Sequence, residues 1–379
     1  MKEVLFFVMC FSALIYMIQR LLRVPASKRF HSIDAIVPAY NEEPCLEQAL
    51  TDLLSNPYIR NVICVNDGSS DGTAQIIDSL AARTRRLIAV HQANTGKGGA
   101  VMHGLLHVTA PYVFLTDADT YVPPHSNGLG YLLAEIERGA DAVGGVPSSN
   151  LNSNGLLPYI RATVKLPMII AKRTFQQILG GAPFLISGAC GLFKSEVLRK
   201  VGLSDRTMVE DLDLTWTLVE RGYNVRHCNF CIVYPQECLT FREEWRRWRR
   251  WIMGYSVCMR LHARLLFTRF GLFSVLPMFL IVVAGLALSA VAWTHSMQHA
   301  GPSVAPLLLF PLSWMFLVAC LGAISAVHHR RYRLIFMAPL SVVYLMLAYA
   351  VWIVHGLKSL VTGRELSRDK PTRYANVVA

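Results

Sequence analysis

PYVFLTDADTYVPP, Pro111 to Pro124, is the stretch that decides the fold. Tyr112 to Thr116 is a short apolar run of aromatic and β-branched residues, bounded by Pro111 and Asp117. Such runs form buried strands of parallel sheets. The strand ends on Asp117-Ala118-Asp119. Side chains alternate along an extended chain, so carboxylates two residues apart point the same way. Open α/β sheets bind ligands at the carboxyl ends of their strands. Two hard oxygen donors at such a place suit Mg²⁺ or Mn²⁺ carrying a diphosphate. Two aspartates can equally just end a strand, and the rest of the chain has to choose.

Outward from this stretch, short apolar runs alternate with helical patterns. Strands are predicted at Ile33–Pro38, Asn61–Val65, Leu87–His91 and Asp141–Val146. Helices are predicted at Glu43–Leu54, Thr73–Ala82 and from about Gly98 to His107. This βαβα order implies an α/β fold, a parallel sheet with helices on both faces. Consecutive strands end in polar turns: PAYNE after the first, NDGSSDGT after the second, and NTGKGG after the third. Glycines let a backbone approach a ligand closely, and Lys97 in the third turn can meet a phosphate or a base. The phosphate-binding pattern G-x-x-x-x-G-K-[ST] is absent. Each turn alone is ordinary turn chemistry; their succession on strand ends is not.

The chain has 379 residues, 53% hydrophobic and only 16% charged, with a net charge of +12. So few charges predict membrane segments beside the α/β domain. The basic residues crowd next to apolar runs, which favours a membrane surface and phosphate-bearing substrates over nucleic acid. The nine cysteines follow no disulfide framework, and Cys228-x-x-Cys231 reads as free thiols in a reducing compartment. Val4–Ile18 is predicted to be an uncleaved anchor with its basic carboxyl flank in the cytoplasm. Leu272–Trp293, Val304–Val327 and Leu334–Val354 are each long enough to span a bilayer. The loop Thr294–Ser303 lacks Lys and Arg and belongs outside; HHRRYR, His328–Arg333, belongs inside. Three such spans put the tail outside, yet it carries Lys358, Arg364, Arg368, Lys370 and Arg373. Pro339 permits a broken or re-entrant last segment.

PAYNEE, VNDGSSDGT, NTGKGGAV, LTDADT, SGACGLF and VEDLDLTWTLVERGY, in this order, resemble family-two glycosyltransferases, in particular membrane-embedded poly-N-acetylglucosamine, hyaluronan and cellulose synthases. The resemblance runs from Ile33 to roughly Met259 and implies a GT-A fold, a UDP-sugar donor, a divalent metal and inversion at the anomeric carbon. It implies that Pro38, Tyr40, Glu42, Asp67 and Lys97 surround the uridine. Asp117 would lie near the ribose and diphosphate, and Asp119 with Asp117 at the metal. SGACGLF would lie beside the acceptor sugar. Glu210-Asp211 stands where the family has T-E-D, with Val209 in the place of threonine. Asp211 is then the general base, and Asp213, two residues on, is expected to face solvent or cap the helix.

Phe241–His262 reads as one amphipathic helix. Trp245, Trp248, Ile252, Tyr255 and Met259 fall on one stripe, and Arg246, Arg249, Arg250 and Arg260 mostly on another side. A tryptophan stripe with arginines suits the headgroup region of a membrane. By resemblance this is also the Q-x-x-R-W element of processive synthases. Arg250-Trp251 match its end, while Arg247 replaces the glutamine; Arg247 and Arg250 are expected to face one site. The expected architecture is an anchor over 1–30, a cytoplasmic GT-A domain over 31–238 and amphipathic interface helices over 239–270. Transmembrane helices follow over 271–357, and a basic tail over 358–379. The expected enzyme is an integral membrane glycosyltransferase of a bacterial inner membrane, extending a polysaccharide from UDP-N-acetylglucosamine. Transfer of one sugar to a lipid-linked acceptor, and a non-catalytic scaffold, are the alternatives; a small partner subunit is allowed.

Overall fold

The computed structural model describes residues 24–153, 155–278, 290–291, 294–295, 298, 305–362 and 372–374. The chain enters through β1 (Ile33–Ala39), α1 (Leu46–Ser55), β2 (Ile59–Asp67), α2 (Thr73–Arg83), β3 (Leu87–Gln92) and α3 (Gly96–Leu105). It continues through β4 (Tyr112–Leu115), β5 (Thr120–Tyr121), α4 (Gly128–Glu137), β6 (Ala142–Pro147), α5 (Leu156–Phe175), β7 (Gly191–Lys194) and α6 (Ser195–Val201). Then come α7 (Glu210–Glu220), β8 (Val225–Pro235), α8 (Phe241–Leu261), α9 (Ala305–His329) and α10 (Ala338–Thr362).

The strands form one eight-stranded sheet in the order β3-β2-β1-β4-β7-β6-β8-β5. β1, β2, β3 and β4 run parallel, as the βαβα pattern requires. Their side chains are buried on both faces, between one cluster around α1, α2 and α4 and another around α3 and α7. The exception inside β1 is Asp34, whose Oδ2 accepts the N–H groups of Thr109 (2.7 Å) and Ala110 (2.8 Å). That buried carboxylate ties β1 to the turn feeding β4.

The sheet is mixed, which corrects the wholly parallel expectation. β7 runs antiparallel to both β4 and β6. The chain reaches β7 after the long excursion of α5, so no right-handed crossover dictates its direction. Antiparallel pairing sets Gly191 opposite Leu115. The SGAC turn ahead of β7 is thereby delivered to the carboxyl end of β4, where Thr116 Oγ1 donates to the Ala189 carbonyl at 3.0 Å.

α5, α8, α9 and α10 pack together as a helical layer against the domain. α8 is fixed at its start by a capping box: Thr240 Oγ1 accepts from Glu243 N, and the Glu243 carboxylate accepts from Thr240 N. At the end of α9, His329 meets Ser148 Oγ (3.1 Å) and His328 meets the Tyr234 hydroxyl (3.0 Å), so HHRRYR lies beside the catalytic domain. The expected span from Leu334 is broken: a short turn, Arg333–Phe336, precedes α10, whose first turn holds Pro339. Among the described residues one helix segment, Ala338–Gly356, is long and apolar enough to cross a membrane. The anchor expected at Val4–Ile18, most of Leu272–Trp293 and most of the loop Thr294–Ser303 lie outside the described residues. Of the tail, the described residues Thr372–Tyr374 touch Glu243, Glu42, Asp119 and Gln236.

Candidate active site

The site is assembled at the carboxyl ends of β1, β2 and β4 and at the amino end of α7. At β2, Asp67 works on the next turn: its Oδ1 accepts from Thr95 N (2.8 Å) and its Oδ2 from Gly96 N (2.9 Å). This positions the start of α3 and therefore Lys97. At β1, Pro38 borders a small enclosed cavity, and Tyr40 is exposed. The backbone of Asn41, with φ of 53°, turns so that Glu42 N donates to Thr73 Oγ1 at 2.8 Å.

Lys97 Nζ lies 2.5 Å from Asp117 Oδ1 and 3.5 Å from Glu210 Oε1. Burial works against its charge, but Asp117, Glu210 and Asp211 win and raise its pKa above the ordinary lysine value. Lys97 thus stands between the end of β4 and the start of α7. Asp211 is held in place by one contact to the SGAC turn: Gly188 N donates to its Oδ2 at 3.0 Å. Burial, with the neighbouring Glu210 charge, pushes the Asp211 carboxyl up against the opposing pull of Lys97 and that N–H. A raised carboxylate is a stronger base at neutral pH, the property needed to take a hydroxyl proton. Lys97, Thr116, Ser187, Gly188, Glu210 and Asp211 border the same cavity. A Cβ at Gly188 would stand 2.6 Å from Lys97 Nζ, so any larger residue there displaces the lysine head group.

Asp119 is buried two residues beyond Asp117. Burial and the Asp117 and Glu42 charges push its carboxyl up to about 6, against the pull of Arg373. The Arg373 guanidinium spans the site: Nη1 pairs with Asp119 Oδ2, Nε lies 2.9 Å from Glu42 Oε2, and Nη2 donates to Glu42 Oε1 at 3.1 Å. The donor set therefore accommodates a cation: hard carboxylate oxygens at a strand end, already gathered around a positive group. Among the described residues no cluster of three or more His, Cys, Asp or Glu forms a full cage. Asp119 and Asp117 are the carboxylates that could hold a divalent metal, of the kind whose coordination substrate phosphates complete.

α8 contributes differently from expectation. Arg247 does not share a site with Arg250. It turns to Glu237 Oε2 (3.1 Å) and to Glu244, and its guanidinium lies 5.4 Å from the Trp251 ring centroid. Buried Glu237 and Glu244 need cations, and Arg161 and Lys165 of α5 join them. The charge of Arg250 acts on Tyr255, as does that of Asp211. Trp251 packs between the α7 core and the layer of α8 and α10. Asp213 also departs from expectation. It is buried and takes bonds from Arg206 Nε (2.9 Å) and His262 Nε2 (2.8 Å), so it joins α7 to the end of α8.

Sequence reasoning missed Arg373, Gly188 as a contact of the base, and the Glu237 cluster. Gly188 had a signal, since SGACGLF is rich in small residues. Arg373 had none that set it apart from the other tail cations.

The glycosyl transferase family 2 profile matches residues 34–202. The uncharacterized glycosyltransferase YaiP of Escherichia coli (strain K12) is 59% identical over 379 residues, covering 100% of this chain and 95% of that protein. A poly-beta-1,6-N-acetyl-D-glucosamine synthase of Staphylococcus aureus (strain COL) is 29% identical over 233 residues. That match spans 60% of this chain and 56% of the synthase, so it leaves a large part of the synthase unmatched. The mannosyltransferase PcManGT from Pyrobaculum calidifontis, solved with GDP-Man and Mn²⁺, superimposes with a TM-score of 0.58 at 18% identity, covering 94% of this chain and 97% of that one. At that identity the likeness speaks for the GT-A-like fold alone.

Proposed function

Because the chain belongs to glycosyl transferase family 2, an enzyme family, we propose that it is an inverting membrane glycosyltransferase taking a UDP-sugar donor. The donor to test first is UDP-N-acetylglucosamine, and the product a growing polysaccharide; the matched synthase supports both choices. The observation that carries the reading is the convergence of Lys97, Glu210 and Asp211 on one cavity, with Asp117 at the end of β4 paired to Lys97 beside it.

In this reaction the acceptor hydroxyl oxygen forms a bond to the anomeric carbon while the bond from that carbon to the diphosphate oxygen breaks. The leaving UDP keeps the electron pair, and Asp211 takes the hydroxyl proton. Gly188 N holds Asp211 in register for that transfer. Lys97 supplies positive charge beside Asp117 as charge grows on the diphosphate. Pro38, Tyr40, Glu42 and Asp67 line the nucleoside side, and Arg250 with Trp251 the acceptor side. Asp119, with Asp117, would hold Mg²⁺ or Mn²⁺, which when bound neutralises diphosphate charge. Residues 31–238 would carry the chemistry in the cytoplasm. Residues 239–270 would lie at the membrane surface, supported by exposed Phe241, Arg242 and Arg246 on α8, and 271–357 would hold the enzyme in the membrane.

Asp211→Asn tests the reading. Donor binding should persist while turnover falls by roughly 10²-fold or more. A variant that transfers like the parent moves the base elsewhere. One observation favours a second reading, single transfer to a lipid-linked acceptor: the residue at the processive glutamine position, Arg247, is committed to Glu237 and Glu244. Product sizing separates the two, since a polymerase yields a ladder and a single transferase one band.

A further inference from the structure

We propose that Asp119 and Glu42 form an exchangeable cation site, held by the chain's own Arg373 until the donor's divalent cation displaces the Thr372–Tyr374 segment. The proposal rests on the reading of Asp119 as a metal-holding residue. It adds Glu42 as the second wall of that site and gives the tail a function.

Both carboxylates are buried, and both face one guanidinium. The positive charge between these two acids comes from within the chain. Arg373 supplies it with a planar fork that reaches both acids at once. The fork also consumes the site. Asp119 Oδ2 is taken by Nη1, Asp119 Oδ1 by the Thr120 hydroxyl at 3.3 Å, and both Glu42 oxygens by Nε and Nη2. Mg²⁺ or Mn²⁺ bound to Asp119, with oxygens at about 2.0–2.1 Å, would lie within a few ångströms of the like-charged guanidinium, and the two cations repel. One cation must leave before the other arrives.

The segment is fastened in a way that allows departure. Thr372 N and Oγ1 donate to the half-buried Glu243 Oε1 at 3.0 and 2.6 Å. The Gln236 side chain clasps Tyr374, accepting from its N at 3.2 Å and donating to its carbonyl. The Tyr374 hydroxyl accepts from Glu237 N at 3.2 Å. These are polar bonds that water can replace, each worth about 0.5–1.5 kcal/mol net. The backbone of Gln236 also donates to the Asp119 carbonyl at 3.2 Å, so the clasp and the acid sit on one joint. The divalent cation carries two charges where the guanidinium carries one, and the diphosphate that arrives with it completes its coordination.

Mn²⁺ binding to the solubilised full chain, read from the EPR signal of free Mn²⁺ in the presence of UDP, tests the exchange. A competent state that is only partly populated weakens apparent affinity by its population. Arg373→Ala should therefore bind Mn²⁺ roughly tenfold more tightly than the parent. In the parent, amide exchange at residues 372–374 should speed up when Mn²⁺ and UDP are added together. Equal Mn²⁺ affinity in parent and variant, or slower amide exchange on loading, overturns the exchange and leaves the metal reading standing. Failure of both proteins to bind Mn²⁺ overturns the two together.

Discussion

At the residue scale the site depends on close approaches that leave no spare atom. Gly188 offers its N–H to Asp211 and leaves room for the Lys97 ammonium. Gly188→Ala puts a methyl 2.6 Å from Lys97 Nζ, so the lysine must move away from Asp117. Displacements of this size near reacting groups cost up to about 10²-fold in rate. Turnover of Gly188→Ala should fall by one to two orders of magnitude, with the unfolding midpoint unchanged; steady-state kinetics beside a thermal melt checks both. Val209, standing where the family has threonine, has its own close approach. It is buried against Gly254 of α8, where a Cβ would lie 2.4 Å from Val209 Cγ2. The substitution by valine therefore serves the packing of α7 on α8.

At the element scale the joint between α7 and α8 is electrostatic. His262, just past α8, is buried between Asp213 and Glu220 of α7, with Arg206 also on Asp213. Burial opposes charge on the imidazole, but the bonds to Asp213 and Glu220 win and raise its pKa above the ordinary 6.5. Burial likewise opposes the Asp213 charge, yet His262 and Arg206 hold that carboxyl below 3.8. The imidazolium binds its proton more tightly folded than unfolded. Its stabilisation is therefore complete below about pH 6.5 and is lost as pH rises through the higher folded value. The Asp213 contribution is present above its unfolded value and is lost as pH falls through the lower folded one. Amide exchange in α7 and the end of α8 should accelerate between pH 6 and pH 9 beyond its intrinsic base catalysis (roughly tenfold per unit). His262→Asn should abolish that excess. A pH-independent protection in the parent would remove the charged imidazole from the joint.

At the scale of the whole molecule, one buried ion cluster ties the catalytic sheet to the helical layer. Glu237 follows β8 and meets Arg161 and Lys165 of α5 and Arg247 of α8; Tyr344 of α10 donates to Glu244 beside them at 2.7 Å. Burial pushes Glu237 up, but Arg161 and Lys165 prevail and keep it below the usual carboxylate range. Removing its charge takes the carboxylate partner from Lys165 and leaves Arg161 and Arg247 to share Glu244 in a buried space. Glu237→Gln should cost about 3–5 kcal/mol of unfolding free energy, the range for breaking a buried pair, as read by denaturant titration of solubilised protein. The double variant Glu237→Gln/Arg247→Gln should cost less than the sum of the two single changes, because they share one network.

The strands of the first half, the acids ending β4 and the acidic start of α7 are written locally. Alternating apolar runs and polar turns select a βα sequence before any distant contact forms, and the structure follows those boundaries within a few residues. A carboxylate pair at a strand end is likewise visible in four consecutive letters. What the tertiary structure alone decided are pairings across long stretches of chain. Arg373 reaches Glu42 over 331 residues. Arg247 turns to the buried acids instead of the site, Asp213 is buried instead of solvated, and β7 inserts antiparallel between β4 and β6. A charged residue has the same local signature whether it meets water, a diphosphate or a buried partner. Its role is set by the groups that the topology brings within a few ångströms, where Coulomb and desolvation terms are both large.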